Sequence, residues 1–338
     1  MNITTAIYRS KLLSELYCKV SQLRNPGFKK EIERRAQLDL FDYKGIAQPL
    51  PKCYYEICTD NNCFGIGWSL RQYVESKASY INALAEHGYF FGTYVQEVER
   101  VTWAKKLLTF SDVRKEHIVA VINNKDVYPI GPYIHYAPDY YDEKKLAAVK
   151  QELGRTLLVF FSHSGTGESV SFDLDALIEK INSIKKRFQS IVISLFWSDI
   201  NPEIETRLLT EGYRIFSSGH RYDFYFLSRQ KTMIKLADVT MSNSTGTHLA
   251  YCSYLNKPHW IVRQVIKSKA LNEKGAANIA IAEMMGKDIV NQQENEELYQ
   301  TFAEYSEILT NKQKQVCDKY FGLSYVRTVD EMKELLRY

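Results

Sequence analysis

From Thr156 onward, apolar runs of strand length alternate with amphipathic runs of helix length, and no other feature of the chain restricts its fold as much. Residues 157–161 (L-L-V-F-F), 191–196, 213–216, 238–241 and 260–262 read as strands, and residues 172–188, 202–209, 223–236 and 248–255 between them as helices. Strands apolar throughout are buried on both faces, and helix-length connections return the chain to run parallel. The expected class is α/β, with a parallel, doubly wound sheet in the C-terminal part and ligands bound beyond the carboxyl ends of its strands.

The loops after three of these strands share one chemistry. They are S-H-S-G-T-G-E (162–168), S-S-G-H-R (217–221) and S-N-S-T-G-T-H (242–248). Brought to one rim, they offer hydroxyls, backbone N–H groups and imidazoles, a set suited to a phosphate-bearing ligand at a helix start. These loops lack the Asp and Glu clusters that hold Mg²⁺, so no metal is expected.

The first half suggests α/β again, with strands expected at 53–57, 80–84, 106–110 and 117–122. A-E-H-G-Y-F-F-G (85–92) sets Glu86 and His87 at a strand end, and T-F-S-D-V-R (109–114) carries a helix start. Residues 128–138, with three prolines and a glycine, read as a crossover. At 338 residues the chain suits two domains, expected at 1–130 and 131–290, with C-terminal helices over 291–338. Six cysteines without C-x-x-C spacing, and no apparent signal peptide, read as reduced thiols of a cytosolic protein.

Residues 1–35 hold eight Lys and Arg against three Glu, whereas the whole chain carries only +4. Leu13, Leu16, Tyr17, Val20 and Leu23 form one apolar helical face there. The expectation is a helix that packs this face inward; a basic amphipathic helix on the anionic inner face of a membrane is the alternative. Nucleic acid is not an expected partner, because the basic patch is short and sits in no recognised module.

Two α/β parts, a Pro/Gly crossover, and S-N-S-T-G-T-H before a helix and the pair Lys257-Pro258 resemble glycosyltransferases of the GT-B fold. The second part is similar to the donor-binding half of bacterial surface-polysaccharide glycosyltransferases, over roughly residues 105–263. The resemblance implies two Rossmann-like domains facing a cleft and metal-independent transfer of a sugar from a nucleotide-sugar to a glycan or lipid-linked glycan. A UDP-sugar is the favoured donor, with CMP- and GDP-sugars open, and no cofactor is implied. It places the donor's phosphates at Ser242, Ser244, Thr245, Gly246, Thr247 and His248, and beside Ser162, His163, Ser164, Gly165, Thr166, Gly167 and His220. Glu86 and His87 fall where acceptor-handling or basic residues stand. Relatives grip the donor ribose with a Glu after the late strand, but no Glu lies between Met241 and Lys257, so that contact is unassigned.

Other readings are open on the sequence alone. F-S-H-S-G-T-G resembles the nucleophile elbow of α/β-hydrolases, with Ser164 as nucleophile and His248 or His259 as base, although Ser162 and Thr166 stand where G-x-S-x-G needs glycine. A sugar-nucleotide epimerase and a non-catalytic nucleotide-sugar-binding protein are also open. His163, His220 and His248 share the predicted rim, but their spacing is not that of a zinc site.

Overall fold

The computed structural model describes residues 3–337, and of Ile3 only the backbone; Met1, Asn2 and Tyr338 of the sequence lie outside the described residues. Among the described residues ten strands are formed: β1 (Leu84–Ala85), β2 (Lys106–Thr109), β3 (Asp126–Pro129), β4 (Thr156–Phe160), β5 (Glu168–Ser171), β6 (Ser190–Ser194), β7 (Arg214–Phe216), β8 (Val239–Ser242), β9 (His259–Ile261) and β10 (Lys267–Ala270). A five-stranded parallel sheet has the order β7-β6-β4-β8-β9, which makes the C-terminal part doubly wound as expected. A three-stranded parallel sheet, β1-β2-β3, forms the first part, and β5 pairs antiparallel with β10 outside both sheets.

The C-terminal elements form where the period and caps place them. Asn201 accepts from the N–H groups of Glu203 and Ile204 to start helix Pro202–Thr210, and Asp173 accepts from Ala176 N to start helix Leu174–Ile184. On β4, Leu157 and Val159 face a core shared with Leu177, Ile181 and Ile193, while Leu158 and Phe160 face a second core on the other side. That second core also contains Leu108 and Phe110 from the end of β2, so the two sheets are joined through packed apolar side chains.

Two strands expected in the first half do not form. Residues 53–57 run without a ladder because their N–H groups are taken by side chains: Tyr54 N donates to Ser21 Oγ, and Tyr55 N and Glu56 N both donate to Asn62 Oδ1. Residues 117–122 begin inside helix Asp112–Val119, which Ser111 caps by accepting from Arg114 N. Ile118 is buried there while Val119 and Val121 are exposed, a one-sided pattern that a strand between two layers would not show. The expected strand 80–84 is reduced to β1.

The chain's end returns to the first sheet. Lys106 Nζ donates to the carbonyl oxygen of Leu335, and Tyr325 OH donates to Asp112 Oδ2. Phe321, fully buried at the end of helix Asn311–Phe321, lies 4.8 Å from Tyr89 and 6.2 Å from Phe91, centroid to centroid. Phe321→Ala should lower unfolding stability in urea by about 3–5 kcal/mol. A loss near the level of an exposed substitution would mean that this helix does not tie the two parts together.

Candidate functional site

A cavity of about 1130 Å³ lies beyond the carboxyl ends of β1, β4, β6 and β7. Residues 161–167 after β4, 195–199 after β6 and 220–222 after β7 form one side; His87, after β1, together with Asp60 and Phe64, forms another. Opposed carboxyl ends are where open parallel sheets leave room, because each connection there must diverge to one face or the other.

Glu86 and His87 are adjacent in sequence and part company in the structure. Glu86 is completely buried: its Oε1 accepts from Arg114 Nε (2.9 Å) and Nη2 (2.6 Å), and its Oε2 from Thr109 Oγ1 (2.5 Å). Its carboxylate is thus committed to an ion pair and does not line the cavity. His87 does line it, with Nδ1 3.1 Å from Asp60 Oδ2. A carboxylate at Nδ1 holds the N–H on that side and leaves Nε2 to accept a proton. Burial pushes the Asp60 carboxyl up, but the hydrogen bond with His87 and the charge of Arg221 outweigh it and hold it below its usual range.

The glycine-bearing loop 162–167 lines the cavity, as does His220, whose ring centroid lies 4.2 Å from that of Trp197. Arg221 joins the two halves: it donates to Thr166 Oγ1 (2.6 Å) and to Cys63 Sγ (3.2 Å). Lys52 and Lys274 line the same space, and Lys274 is held below its ordinary value by burial and by the charges of Lys52 and Arg221. The three cations share the cavity with the carboxylates of Asp60, Glu97, Glu168 and Asp199, and together they can hold an anionic group only where the cations converge. Lys274 is brought there by helix Glu273–Gly286, packed against the β5–β10 pair. That approach requires glycine twice: Gly167 has φ +80°, and a Cβ on Gly275 would stand 1.7 Å from the carbonyl oxygen of Gly167.

Residues 242–248 are placed elsewhere: among the described residues, none of them lines this cavity. Thr245 Oγ1 donates to Asn295 Oδ1 (2.5 Å), Thr247 Oγ1 accepts from Tyr89 N (3.0 Å), and His248 stacks on Phe160. The loop instead supports the cavity wall from behind, since Ser162 Oγ reaches both Asn243 Oδ1 (2.9 Å) and Ser244 Oγ (2.8 Å). Ser242 Oγ is engaged by Ser244 O and by His259 Nε2. Gly246, with φ 166°, is in extended backbone that any residue adopts, so no left-handed turn demands glycine there.

The hydrolase arrangement is not assembled. Ser164 Oγ accepts from Val170 N (3.0 Å), and His259 is occupied at both nitrogens by Thr240 and Ser242. No hydrogen bond joins Ser164 Oγ to an imidazole among the described residues, so the nucleophile lacks its base. His163, His220 and His248 do not converge as a metal-ligand group among those residues either.

The cavity lining also includes Asp60, Lys52, Arg221 and Lys274, to which the sequence reading assigns no role. Arg221 stood next to the chosen His220 and was legible as a cation after a strand. Asp60 lies 27 residues before His87 in an Asn- and Cys-rich turn, and Lys274 is the second residue of a helix beyond the last strand of the large sheet; neither has a spacing signature.

Fold and site together define an α/β protein with two parallel sheets and a cavity at their strand ends lined by charged, hydroxyl and aromatic side chains. No family model and no curated protein matches the chain. Solved structures similar to it include Phytolacca americana UGT2 complexed with UDP-2fluoro-glucose and pterostilbene (12% identity, TM-score 0.30, 71% of this chain and 51% of that one). A UDP-glucosyltransferase from Polygonum tinctorium capable of glucosylating indoxyl is similar at 12% identity and TM-score 0.30, over 71% of this chain and 50% of its own. A UDP-forming trehalose-phosphate synthase from Burkholderia xenovorans is similar at 11% identity and TM-score 0.27, over 75% of this chain and 66% of its own. The chain spans about half the length of the first two.

Three imidazoles near the site are held neutral, in each case first by burial. The neighbours Arg35 and Arg221 help to lower His220 to about 3, His163 helps to lower His248 to about 4, and His248 lowers His259 further. An unfolded histidine titrates near pH 6.5, so below that the unfolded state binds more protons than the native one. Stability is then full above about pH 6.5 and is lost as the pH falls toward 4, by about 2 kcal/mol at pH 5 for each of His220 and His248. Urea unfolding at pH 7 and pH 5 measures the drop, and His220→Gln should reduce it by about 2 kcal/mol. An unchanged midpoint between those pH values would show that these rings are protonated in the native protein.

Proposed function

We propose that the protein is a nucleotide-sugar-dependent glycosyltransferase. The observation that carries this reading is the carboxylate-oriented imidazole of His87 on the same cavity as Arg221, Lys274 and Lys52. Inverting sugar transfer needs a base for the acceptor hydroxyl, and transfer by either stereochemical course needs positive charge for the departing nucleoside diphosphate. His87 Nε2 takes the hydroxyl proton, and Asp60 keeps the ring in the tautomer that can accept it and offsets the charge that forms. The three cations, with the hydroxyls of loop 162–167, stabilise the leaving group and supply charge that a divalent metal would otherwise bring, so the reaction runs without one. The aromatic side chains of Phe64, Phe90, Phe196 and Trp197 on the same walls suit the faces of a base and a sugar ring.

A UDP-sugar is the donor to test first, with CMP- and GDP-sugars next, and a glycan or lipid-linked glycan of surface polysaccharide synthesis is the acceptor. Six free, buried thiols suit work in the cytoplasm. Calorimetric titration with UDP, GDP and CMP in EDTA should show one of them binding, and Lys274→Met should weaken that binding by about tenfold. His87→Ala and Asp60→Asn should each lower turnover by about 10²-fold at nearly unchanged nucleotide affinity. Glu86→Gln should act on stability instead, lowering it by about 3 kcal/mol. A strict need for a divalent cation in binding, or normal transfer by His87→Ala, would overturn the assignment.

A further inference from the structure

Helix Lys11–Arg24 is inside out. It turns its small polar residues Ser14, Cys18 and Ser21 to the body of the protein and leaves its leucines outside: Leu12 is 73% exposed, Leu16 55% and Leu23 80%. The expected inward packing of this apolar face does not occur. Hydrogen bonds from the polar side fix the orientation: Ser14 Oγ donates to Ile7 O, Cys18 Sγ to Glu56 O and Gln22 Nε2 to Tyr54 O, and Ser21 Oγ accepts from Tyr54 N. Rotating the helix to hide the leucines would break all four.

On the outer face Leu12, Leu16, Lys19 and Leu23 succeed one another at helical spacing along one ridge, and Leu13, Tyr17, Val20 and Arg24 along the next. Leu13 and Tyr17 are also exposed. Lys19 and Arg24 are exposed within this apolar field, and Lys29 and Lys30 are exposed on the adjoining helix Phe28–Arg35. Long cationic side chains among leucines match a surface that is apolar in depth and anionic at its boundary, with the amine reaching outward while the stem stays in hydrocarbon. No helix among the described residues is long and apolar enough to cross a membrane, so the contact is with one leaflet.

We propose that the outer face of helix Lys11–Arg24 docks the protein onto an anionic lipid bilayer. The preceding helix Ile3–Arg9 carries Tyr8, which lines the cavity, and its Thr5 donates to Glu97, another lining residue. Docking therefore sets the cavity near the lipid surface, where an acceptor glycan on a lipid carrier is presented. The docking face itself stands whether or not the transferase reading holds.

Flotation with vesicles of phosphatidylcholine alone, and with about one third phosphatidylserine added, tests it on the full chain. Wild type should float with the anionic vesicles at least about tenfold more than with neutral ones, and less in high salt. The triple substitution Leu12→Ser, Leu16→Ser, Leu23→Ser should remove flotation while melting temperature and nucleotide titration stay unchanged, since all three side chains are outside the core. Lys19→Glu with Arg24→Glu should abolish the preference for anionic vesicles. Absent or charge-independent flotation, or a triple variant that floats like wild type, overturns the proposal. So does a wild-type dimer that the triple variant converts to monomer without any vesicle binding, which would assign the face to a second copy of the chain.

Discussion

The buried pair of Glu86 and Arg114 holds the first half in the shape that the site needs. Both side chains are without solvent, and the carboxylate is saturated by two guanidinium N–H groups and the Thr109 hydroxyl. Arg114 spends a further N–H on Gly92 O, so one cluster joins the end of β1, the end of β2, the start of a helix and the Gly-containing turn. Removing either partner would strand a charge in the interior, which costs far more than the pair contributes as a whole. Because Glu86 must turn inward to meet Arg114, the next side chain is free to turn toward the cavity. The position of His87 on the cavity is thus a consequence of an ion pair that does not line it.

The second half arranges its site by a different means. There the strand ends are held by loop-to-loop hydrogen bonding, with Asn243 and Ser244 under Ser162 and Asp199 accepting from Ser164 N. Loop 242–248 thus supports loop 162–167, which lines the cavity. Ser, Thr, Asn and Gly serve both purposes for the same reason: they are short and can bond backbone or ligand alike.

This ambiguity explains what was and was not legible. The large sheet could be read almost strand for strand, because β4, β6 and β8 are buried on both faces and nothing competes with their ladders. In the first half, side chains of Ser21 and Asn62 take backbone N–H groups of an apolar run, a long-range event without a local pattern. His87 could be singled out, but its partner Asp60 could not, since two residues that meet across a turn leave no periodic trace. The cations of the site came from three separate segments, and only Arg221 stood beside a motif. The outward leucines of the second helix show the same limit in another form: the apolar stripe is plain in sequence, whereas the side it faces depends on which of its two edges finds hydrogen-bond partners.

Helix Glu273–Gly286 buries only Gly275, and side-chain hydrogen bonds such as that from Asn278 to Thr166 O attach it at its inner edge. A segment held by so little apolar area opens at a small fraction of the free energy needed to unfold the sheets behind it. It also carries Lys274 toward two other positive charges, an arrangement that repels itself when no anion is present. The carboxylate of Asp60 offsets part of that repulsion, so the seating of this segment and the charges of the cavity beside it are parts of one electrostatic balance.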